Sequence, residues 1–387
     1  MPVCSKEGIY KMETSKVYFT DFRARPGTNL LKKLEKLIRT AGIDNIDFED
    51  KFVAIKIHFG EPGNLSFLRP NYAKVVADVV KSLGGRPFLT DCNTLYVGGR
   101  KHALEHIDTA YLNGFSPFST GCNVIIADGL KGTDDVEVPV EGGELCKTAL
   151  IGRAVMDADI FISLTHFKGH ESTGFGGCIK NVGMGCGSRA GKMAQHSSGK
   201  PEVKERKCRK CHACAKICAH SAISFDGTDG KARIDHNKCV GCGRCLGACN
   251  FDAIHNANGS ANADLNKKMA EYTKAVVDGR PAFHISLVMD VSPFCDCHAE
   301  NDAPIIPDVG MFASFDPVAL DQACADAANA MPAVRASRLG DLMDTAEFVD
   351  QGDHFKNTNP ETDWEVQLSH AEALGLGTRQ YELVTVK

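Results

Sequence analysis

The sequence predicts an α/β protein, in which a mostly parallel sheet carries helices on both faces and is interrupted by an inserted cysteine-rich module. Strand and helix patterns alternate through residues 16–168, as in chains that build parallel sheets covered by helices. Eight cysteines crowd into residues 205–256. Strand and helix patterns resume after residue 280, so the module divides one α/β domain into two parts.

In the first part, apolar runs and helical stripes predict each element in turn. The strand KVYFTDF precedes the helix TNLLKKLEKLIRTAG, which begins after a cap at Thr28 or Asn29 and ends at Gly42. The runs FVAIKI, RPFLT, NVIIA and DIFISLT are further predicted strands. The segments between them, NYAKVVADVVKSLGG, ALEHIDTAYLNG and ELCKTALIGRAVMDA, are predicted helices.

After the module, residues 257–280 predict a linker followed by a helix. The strand AFHISLVMD, the helix DPVALDQACADAANAM and the final strand YELVTV then complete the sheet. We therefore expect an N-terminal tail at residues 1–15, an α/β domain made of residues 16–200 and 270–387, and the cysteine module at residues 205–256.

The composition narrows the classes of function. A net charge of -5 over 387 residues gives no overall basic signal for nucleic acid. No apolar run is long enough for a membrane span, and the N-terminus has no apolar segment of the secretory type. We expect a cytoplasmic protein. In that reducing compartment the 17 cysteines are expected to be metal ligands or redox thiols rather than disulfides.

Polar residues follow several predicted strands at the point where each strand ends. His58, Asp91, Asp128 and His166 occupy such positions, with Cys92 and Asn93 directly after Asp91. Because ligands of open α/β sheets bind outside the carboxyl ends of the strands, these side chains are candidates for one shared rim. The aspartates could equally be turn formers, whereas histidine is not a preferred turn residue.

The cysteine module contains an internal repeat. CRKCHACAKIC and CVGCGRCLGAC both have the spacing C-x2-C-x2-C-x3-C, and each is followed by an Ala-Ile pair. The cysteines of the two runs are Cys208, Cys211, Cys214 and Cys218, then Cys239, Cys242, Cys245 and Cys249. Paired zinc sites are the alternative, but they usually combine C-x2-C with a distant second pair.

The module resembles the bacterial two-cluster ferredoxin, which predicts an inserted ferredoxin-like α+β fold. The resemblance implies one [4Fe–4S] cluster on Cys208, Cys211, Cys214 and Cys249, and a second on Cys239, Cys242, Cys245 and Cys218. The proline that follows the fourth cysteine in that family is Ala219 in the first run and Asn250 in the second. A basic segment, Lys204–Lys216, could raise the cluster potential, dock an acidic redox partner protein or be a solvated face.

A glycine-rich, loop-like run, THFKGHESTGFGGCIKNVGMGCGSRAGK, spans Thr165–Lys192 just before the module. It contains too much His, Lys, Cys and Phe for a flexible linker. Glycines such as Gly176 and Gly177, with charge from Lys168, Arg189 and Lys192, would suit an anion or cofactor phosphate. The run could instead be part of an active site, with His166, His170, Lys180 and His196 as candidate catalytic residues and His58 as a cofactor-binding candidate on the same rim. Structural turns are the third interpretation.

Further segments resemble the iron–sulfur family known as domain of unknown function 362 (DUF362). They include FVAIKIHFGEPGN, VIIADGLKGTD, ASFDPVALDQA and the whole glycine-rich run, and the resemblance extends from about residue 16 to the end. It implies an α/β domain interrupted by a ferredoxin module.

More locally, His170, Lys180 and His196 with GFGGCIK are similar to the core of nickel-pincer lactate racemases. That similarity implies a lysine-linked cofactor on Lys180 and a metal ligand at His196, while a lysine that grips a carboxylate or phosphate is the simpler interpretation.

A last candidate is FCDCHAE, in which Cys295, Cys297 and His298 follow a predicted strand. They could ligate an additional metal with Cys178, Cys186 or His170, or remain free thiols.

Together, these observations predict a redox protein in which two clusters relay electrons to or from a small-molecule pocket on the sheet rim. A non-catalytic electron carrier, or subunit of a larger redox complex, and a racemase-like isomerase are the alternatives.

Overall fold

The computed structural model describes residues 14–95, 98–196, 200–239, 245, 249, 251, 253–256 and 261–387. The strands are β1 (Ser15–Asp21), β2 (Phe52–Lys56), β3 (Arg86–Asp91), β4 (Asn123–Ile126), β5 (Asp135–Pro139), β6 (Thr148–Gly152), β7 (Ile160–His166), β8 (Lys168–His170), β9 (Gly174–Gly176), β10 (Pro201–Val203), β11 (Ile223–Ser224), β12 (Arg233–Ile234), β13 (Ile254–Asn256), β14 (Ala282–Val288), β15 (Gly310–Ser314) and β16 (Tyr381–Thr385). The helices are α1 (Leu30–Thr40), α2 (Pro70–Ser82), α3 (Ala103–Leu112), α4 (Pro117–Thr120), α5 (Arg153–Asp157), α6 (Cys178–Cys186), α7 (Arg189–His196), α8 (Ala213–Lys216), α9 (Ala261–Val277), α10 (Pro317–Asn329), α11 (Arg338–Met343), α12 (His354–Thr358) and α13 (Glu365–Ala373).

The central sheet has the order β16–β1–β15–β14–β7–β2–β3–β4. Strands β14, β7, β2, β3 and β4 are mutually parallel, and β1 is parallel to β16. Strand β15 runs antiparallel to both of its neighbours, β1 and β14. The prediction of a mostly parallel α/β sheet is therefore confirmed. Sequence analysis missed β15.

Both faces of the sheet are buried, as parallel sheets require. In β2, the side chains of Val53 and Ile55 pack on one face with α1 and α2, and Ala54 packs on the other face with α6 and α10. In β7, Phe161 likewise faces the second layer. Short strands with almost continuous apolar runs are the sequence consequence of this double burial.

Two expectations of secondary structure are wrong. The predicted helix ELCKTALIGRAVMDA contains strand β6 and the short helix α5 instead. The alternation of buried Ala149 and Ile151 with the half-buried Leu150 suits a strand, and β6 pairs with β5 in a hairpin. The glycine-rich run is not a loop, because it forms the β8–β9 hairpin followed by helices α6 and α7.

One glycine lets helix α6 pack tightly beneath the sheet rim. A Cβ atom at Gly183 would lie 2.1 Å from the carbonyl oxygen of Met269 on α9, which is well inside contact distance. The glycine therefore permits close packing of α6 on α9. Its neighbour on α6, Lys180, is thereby held at a fixed position. Among the described residues, no helix has the length and apolar character that a membrane crossing requires.

Candidate functional site

A cavity of about 80 Å³ lies at the carboxyl ends of the parallel strands β2 and β3. It is bounded by residues that follow these strands, by the β8–β9 turn, by α6 and α7, and by the segment after β14. Its polar and charged lining residues include Lys56, His58, Asp91, Thr94, Arg100, Lys168, His170, Glu171, Lys180, Asn181, Lys192, His196, Cys295 and Cys297. Most of the sequence-derived candidates thus meet at one place.

The described wall of this cavity is strongly cationic. Lysine and arginine contribute five residues, against the carboxylates of Asp91 and Glu171. The five are Lys56, Arg100, Lys168, Lys180 and Lys192. Excess positive charge in a partly desolvated cavity attracts an anion, because Coulomb interactions are stronger away from bulk water.

Some of this charge is balanced by buried partners. Lys56 lies 3.1 Å from Asp91 and donates a 2.8 Å hydrogen bond to Asn181. Arg100 pairs with Glu61 at 2.9 Å. These contacts hold the cations in place and offset part of the positive charge of the wall.

A thiol pair closes one side of the cavity. The ammonium group of Lys180 lies 3.0 Å from the sulfur of Cys295. A hydrogen bond from Cys297 and the charge of Lys180 hold the pKa of the Cys295 thiol well below its usual value, although burial opposes them. The same hydrogen bond, together with burial, raises the pKa of Cys297. Cys295 is therefore the thiolate of the pair and Cys297 the thiol that donates to it.

Two histidines of the wall carry their proton on Nε2. The Nδ1 atom of His58 accepts the Gly60 N–H at 3.0 Å, and that of His170 accepts the N–H groups of Ser172 and Thr173. Burial, with the positive charge of Arg100, holds the pKa of His58 well below its usual value, so this ring is neutral at pH 7. His170 also hydrogen-bonds the sulfur of Cys295.

His196 is the third histidine of the cavity. Burial and the neighbouring His170 lower its pKa to about 3, so this imidazole is also neutral. A neutral imidazole can accept a proton, donate one or bind a metal.

The last segment of the wall brings three potential metal ligands together. Glu171, Cys297 and His298 each offer a donor atom, and these atoms lie within 4.8 Å of one another. Cys178 and Cys186, which were considered as partners from the sequence, are buried in the core beside Ser163 and Cys92. Glu171 was not predicted, because only the hairpin turn brings it to this position.

His166 is not among the residues that line the cavity. Its Nδ1 lies 2.9 Å from both carboxylate oxygens of Asp296, and its Nε2 donates to the Met289 carbonyl at 2.7 Å. Asp296 separates Cys295 from Cys297 in the chain, so this buried contact anchors the thiol pair. Lys168, 3.5 Å from Asp296, joins the same network.

The remaining rim candidates have local structural contacts. Asp128 accepts hydrogen bonds from the backbone and side chain of Asn93 at 2.9 and 2.8 Å. Gly176 packs against Lys168 and Lys180, and Gly177 leaves room for the carboxylate of Asp321. Arg189 contacts the Lys131 carbonyl at 3.4 Å and is not part of the cavity wall.

Asp321 was also missed by sequence analysis. Its two carboxylate oxygens accept the N–H groups of Cys178 at 2.6 Å and Ile179 at 2.9 Å, at the start of α6. It lies on α10, far along the chain, so no local pattern indicates the contact. The carboxylate satisfies backbone donors that the first turn of a helix leaves open.

In the cysteine module, a small pocket of about 20 Å³ brings four predicted cluster ligands together. Its lining includes Cys208, Cys211 and Cys214 from the first run and Cys249 from the second. The backbone N–H groups of Ala222 and Ala253 donate to the sulfurs of Cys218 and Cys249, both at 3.3 Å. The two hydrogen bonds occupy equivalent positions in the two cysteine runs.

The second predicted ligand set is described only in part. Cys239 and Cys218 are partly buried, and Cys245 is buried in a small core against which Cys218 packs. Cys242 lies outside the described residues. Both clusters and the domain bounds, including 205–256 for the module, remain predictions.

Similarity to known proteins extends over most of the chain. The family described as a domain of unknown function (DUF362) matches residues 53–326. The chain is similar to the lactate racemase apoprotein from Thermoanaerobacterium thermosaccharolyticum, with 11% identity and a TM-score of 0.39, over 93% of this chain and 78% of the other. It is also similar to a structural-genomics crystal structure of a protein from Thermotoga maritima, with 12% identity and a TM-score of 0.34, over 76% of this chain and 57% of that one. No curated protein matches the sequence.

Proposed function

This chain belongs to the DUF362 family, and we propose that it is an iron–sulfur oxidoreductase that acts on a small anionic substrate. The substrate binds in the cationic cavity at the rim of the α/β sheet, and the cysteine module holds two [4Fe–4S] clusters that serve a redox partner protein. The observation that carries the proposal is the combination, in one chain, of a cationic cavity containing a thiolate and a pocket lined by four cysteines.

The residues of the module fit a cubane cluster. Three closely spaced sulfurs, Cys208, Cys211 and Cys214, meet the distant Cys249 around one pocket, which is the ligand pairing of two-cluster ferredoxins. Backbone N–H groups point at the sulfurs of Cys218 and Cys249, as hydrogen bonds that tune cluster potentials do. When bound, such clusters accept and donate single electrons.

The cavity residues bind and orient the substrate. An anionic group would be held by Lys168, Lys192 and Arg100, whose side chains are buried and fixed by neighbouring oxygen atoms. The Nε2–H group of His58 provides a directional donor beside this charge. The neutral imidazole of His196 can exchange a hydrogen bond with the substrate. Burial of the wall excludes bulk water from the anion.

The test begins with anaerobic purification of the full chain. We expect about eight iron and eight sulfide per chain for two cubane clusters. Small carboxylates and phosphates are then added to protein with reduced clusters, and cluster absorbance is followed. Reoxidation of the clusters that depends on an added anion would support an enzyme. We expect Lys168→Gln to weaken this reoxidation and the control Lys74→Gln, on the exposed face of α2, to leave it unchanged. Iron-free protein, or clusters indifferent to every anion tested, would overturn the proposal.

A non-catalytic electron carrier is the nearest alternative. It would contain the same clusters, but it has no need of a buried cationic cavity with a thiolate. Clusters that exchange electrons with a ferredoxin-type partner while no anion binds the cavity would favour the carrier.

A further inference from the structure

We propose that Glu171, Cys297 and His298 form a site for one zinc ion that is open to the cavity. The donor atoms of these three residues lie within 4.8 Å of one another, so one ion can reach all of them. Within this group, His298 Nε2 and Glu171 Oε1 already share a hydrogen bond at 2.9 Å. A metal bound to His298 Nε2 replaces the proton on this nitrogen, and that proton moves to Nδ1 of the same ring.

The ligand types select the metal. Thiolate, imidazole and carboxylate are the three ligand classes that zinc accepts in proteins, whereas calcium and magnesium prefer oxygen alone. Zinc binding displaces the thiol proton of Cys297 to solvent, since the thiolate is the ligand. No electron transfer is needed, because zinc has no redox chemistry in proteins.

The site is held by two separate segments. Glu171 lies in the turn between β8 and β9, and the other two ligands follow β14. The backbone of His298 is fixed from both sides, since its N–H donates to the Cys295 carbonyl at 3.0 Å and its carbonyl accepts from Asn64 at 2.9 Å. Prepositioned ligands reduce the ordering that metal binding requires.

A second observation points to a missing ligand. The Oε2 atom of Glu171 is buried and has no hydrogen-bond partner among the described residues. A buried carboxylate oxygen without a partner is energetically unfavourable, because its desolvation is not compensated. A bound cation would compensate it.

Cys295 is excluded from the ligand set by its own contact. Its sulfur lies 3.0 Å from the ammonium group of Lys180, which occupies the space that a metal would need. The protein therefore supplies three ligands, the number found in catalytic rather than structural zinc sites. Glu171 and Cys297 line the cavity, so the remaining coordination position faces the cationic wall.

This geometry identifies the class of substrate group. An oxyanion, such as a carboxylate, would bind zinc through one oxygen, and the lysines of the wall would pair with its remaining negative charge. That step rests on the proposed function, because it assumes an anionic substrate in the same cavity. Zinc binding itself does not depend on the clusters.

The test uses the anaerobically purified full chain, dialysed against a chelator and then incubated with zinc chloride. Zinc, iron and sulfide are measured in the wild type, Cys297→Ser, Glu171→Gln and the control Cys122→Ser, whose thiol lies on the opposite side of the sheet core. We expect about one zinc per chain in the wild type and the control, and affinity at least ~10-fold weaker in both site variants. Iron should be equal in all four proteins.

X-ray absorption at the zinc edge provides a readout that misfolding would not imitate. We expect one sulfur at about 2.3 Å together with nitrogen and oxygen ligands. Zinc with four sulfurs would place the ion in the cysteine module and overturn the inference, as would equal zinc affinity in Cys297→Ser. If the protein contains its full iron content but binds no zinc, the zinc site is wrong and the proposed function stands. If the protein contains no iron but binds zinc through one sulfur, the proposed function is wrong and the zinc site stands.

Discussion

The ammonium nitrogen of Lys180 lies 3.0 Å from the sulfur of Cys295, a residue 115 positions further along the chain. Cys295 is buried and Lys180 is partly buried at the wall of the cavity, so the thiolate–ammonium contact is partly shielded from bulk water. Burial alone would lower the pKa of Lys180, but the negative charge of Cys295 and its hydrogen bond with the ammonium group raise it overall. The pair is therefore ionised at neutral pH.

Replacement of Lys180 should make Cys295 less reactive. In Lys180→Met, the thiolate loses a neighbouring positive charge, and its pKa rises towards the ordinary value. We expect alkylation of Cys295 by iodoacetamide at pH 6 to slow by about tenfold for each unit by which the pKa rises above 6, because only the thiolate reacts. Quantitative mass spectrometry of the Cys295 peptide measures the rate. Lys74→Gln on α2 is the control, and an unchanged rate in Lys180→Met would contradict the ion pair.

The mass of the Lys180 peptide tests a different interpretation. Because the ammonium group of Lys180 is engaged by Cys295, we expect the lysine to carry no covalent cofactor in protein from the native source. Peptide mass spectrometry should then return the mass of an unmodified lysine. An adduct on Lys180, with nickel in elemental analysis, would instead establish the racemase-like alternative.

The crossed ligand pairing in the cysteine module predicts which variants share a cluster. Cys208 and Cys249 line the same pocket, although they belong to different runs. We expect the double variant Cys208→Ser/Cys249→Ser to lose no more iron than either single variant, about four atoms per chain. The matched double variant Cys208→Ser/Cys218→Ser should lose both clusters. Iron content is measured after anaerobic reconstitution. If Cys208→Ser/Cys249→Ser lost both clusters and Cys208→Ser/Cys218→Ser lost only one, each cluster would be bound by the four cysteines of a single run.

Asp321 should make stability depend on pH. Burial raises its pKa from 3.8 to about 7, in spite of the N–H donors at the start of α6. Between these values the folded protein binds more protons than the unfolded chain, so the free energy of unfolding falls as pH rises, by at most about 1.4 kcal/mol per unit. Asp321→Asn should lose this slope.

The measurement is urea unfolding of both proteins from pH 4.5 to pH 7.5. Asp326→Asn, at an exposed position on the same helix, serves as the control. If the wild type and Asp321→Asn show parallel pH profiles, the raised pKa of Asp321 is wrong.

Local patterns were sufficient wherever the determining interactions are close in sequence. Apolar runs such as FVAIKI identify buried strands, and Asn29 and Gly42 bound α1 as its cap and its end. The predicted helix that became β6 failed because its strand partner, β5, supplies the pairing that its own sequence does not reveal. Strand β15 was missed because a run of five residues is too short to show a clear period, and its pairing with β1 and β14 comes from distant parts of the chain.

The sequence by itself determined the α/β class, the repeated cysteine spacing and the strand ends at which His58 and Asp91 stand, since each depends on residues a few positions apart. Only the tertiary structure decided that Glu171 meets His298, that Lys180 meets Cys295 and that Asp321 begins α6. Such contacts join segments more than a hundred residues apart. Side-chain packing and burial, rather than local propensity, select them, and they define the charge and the ligands of the cavity.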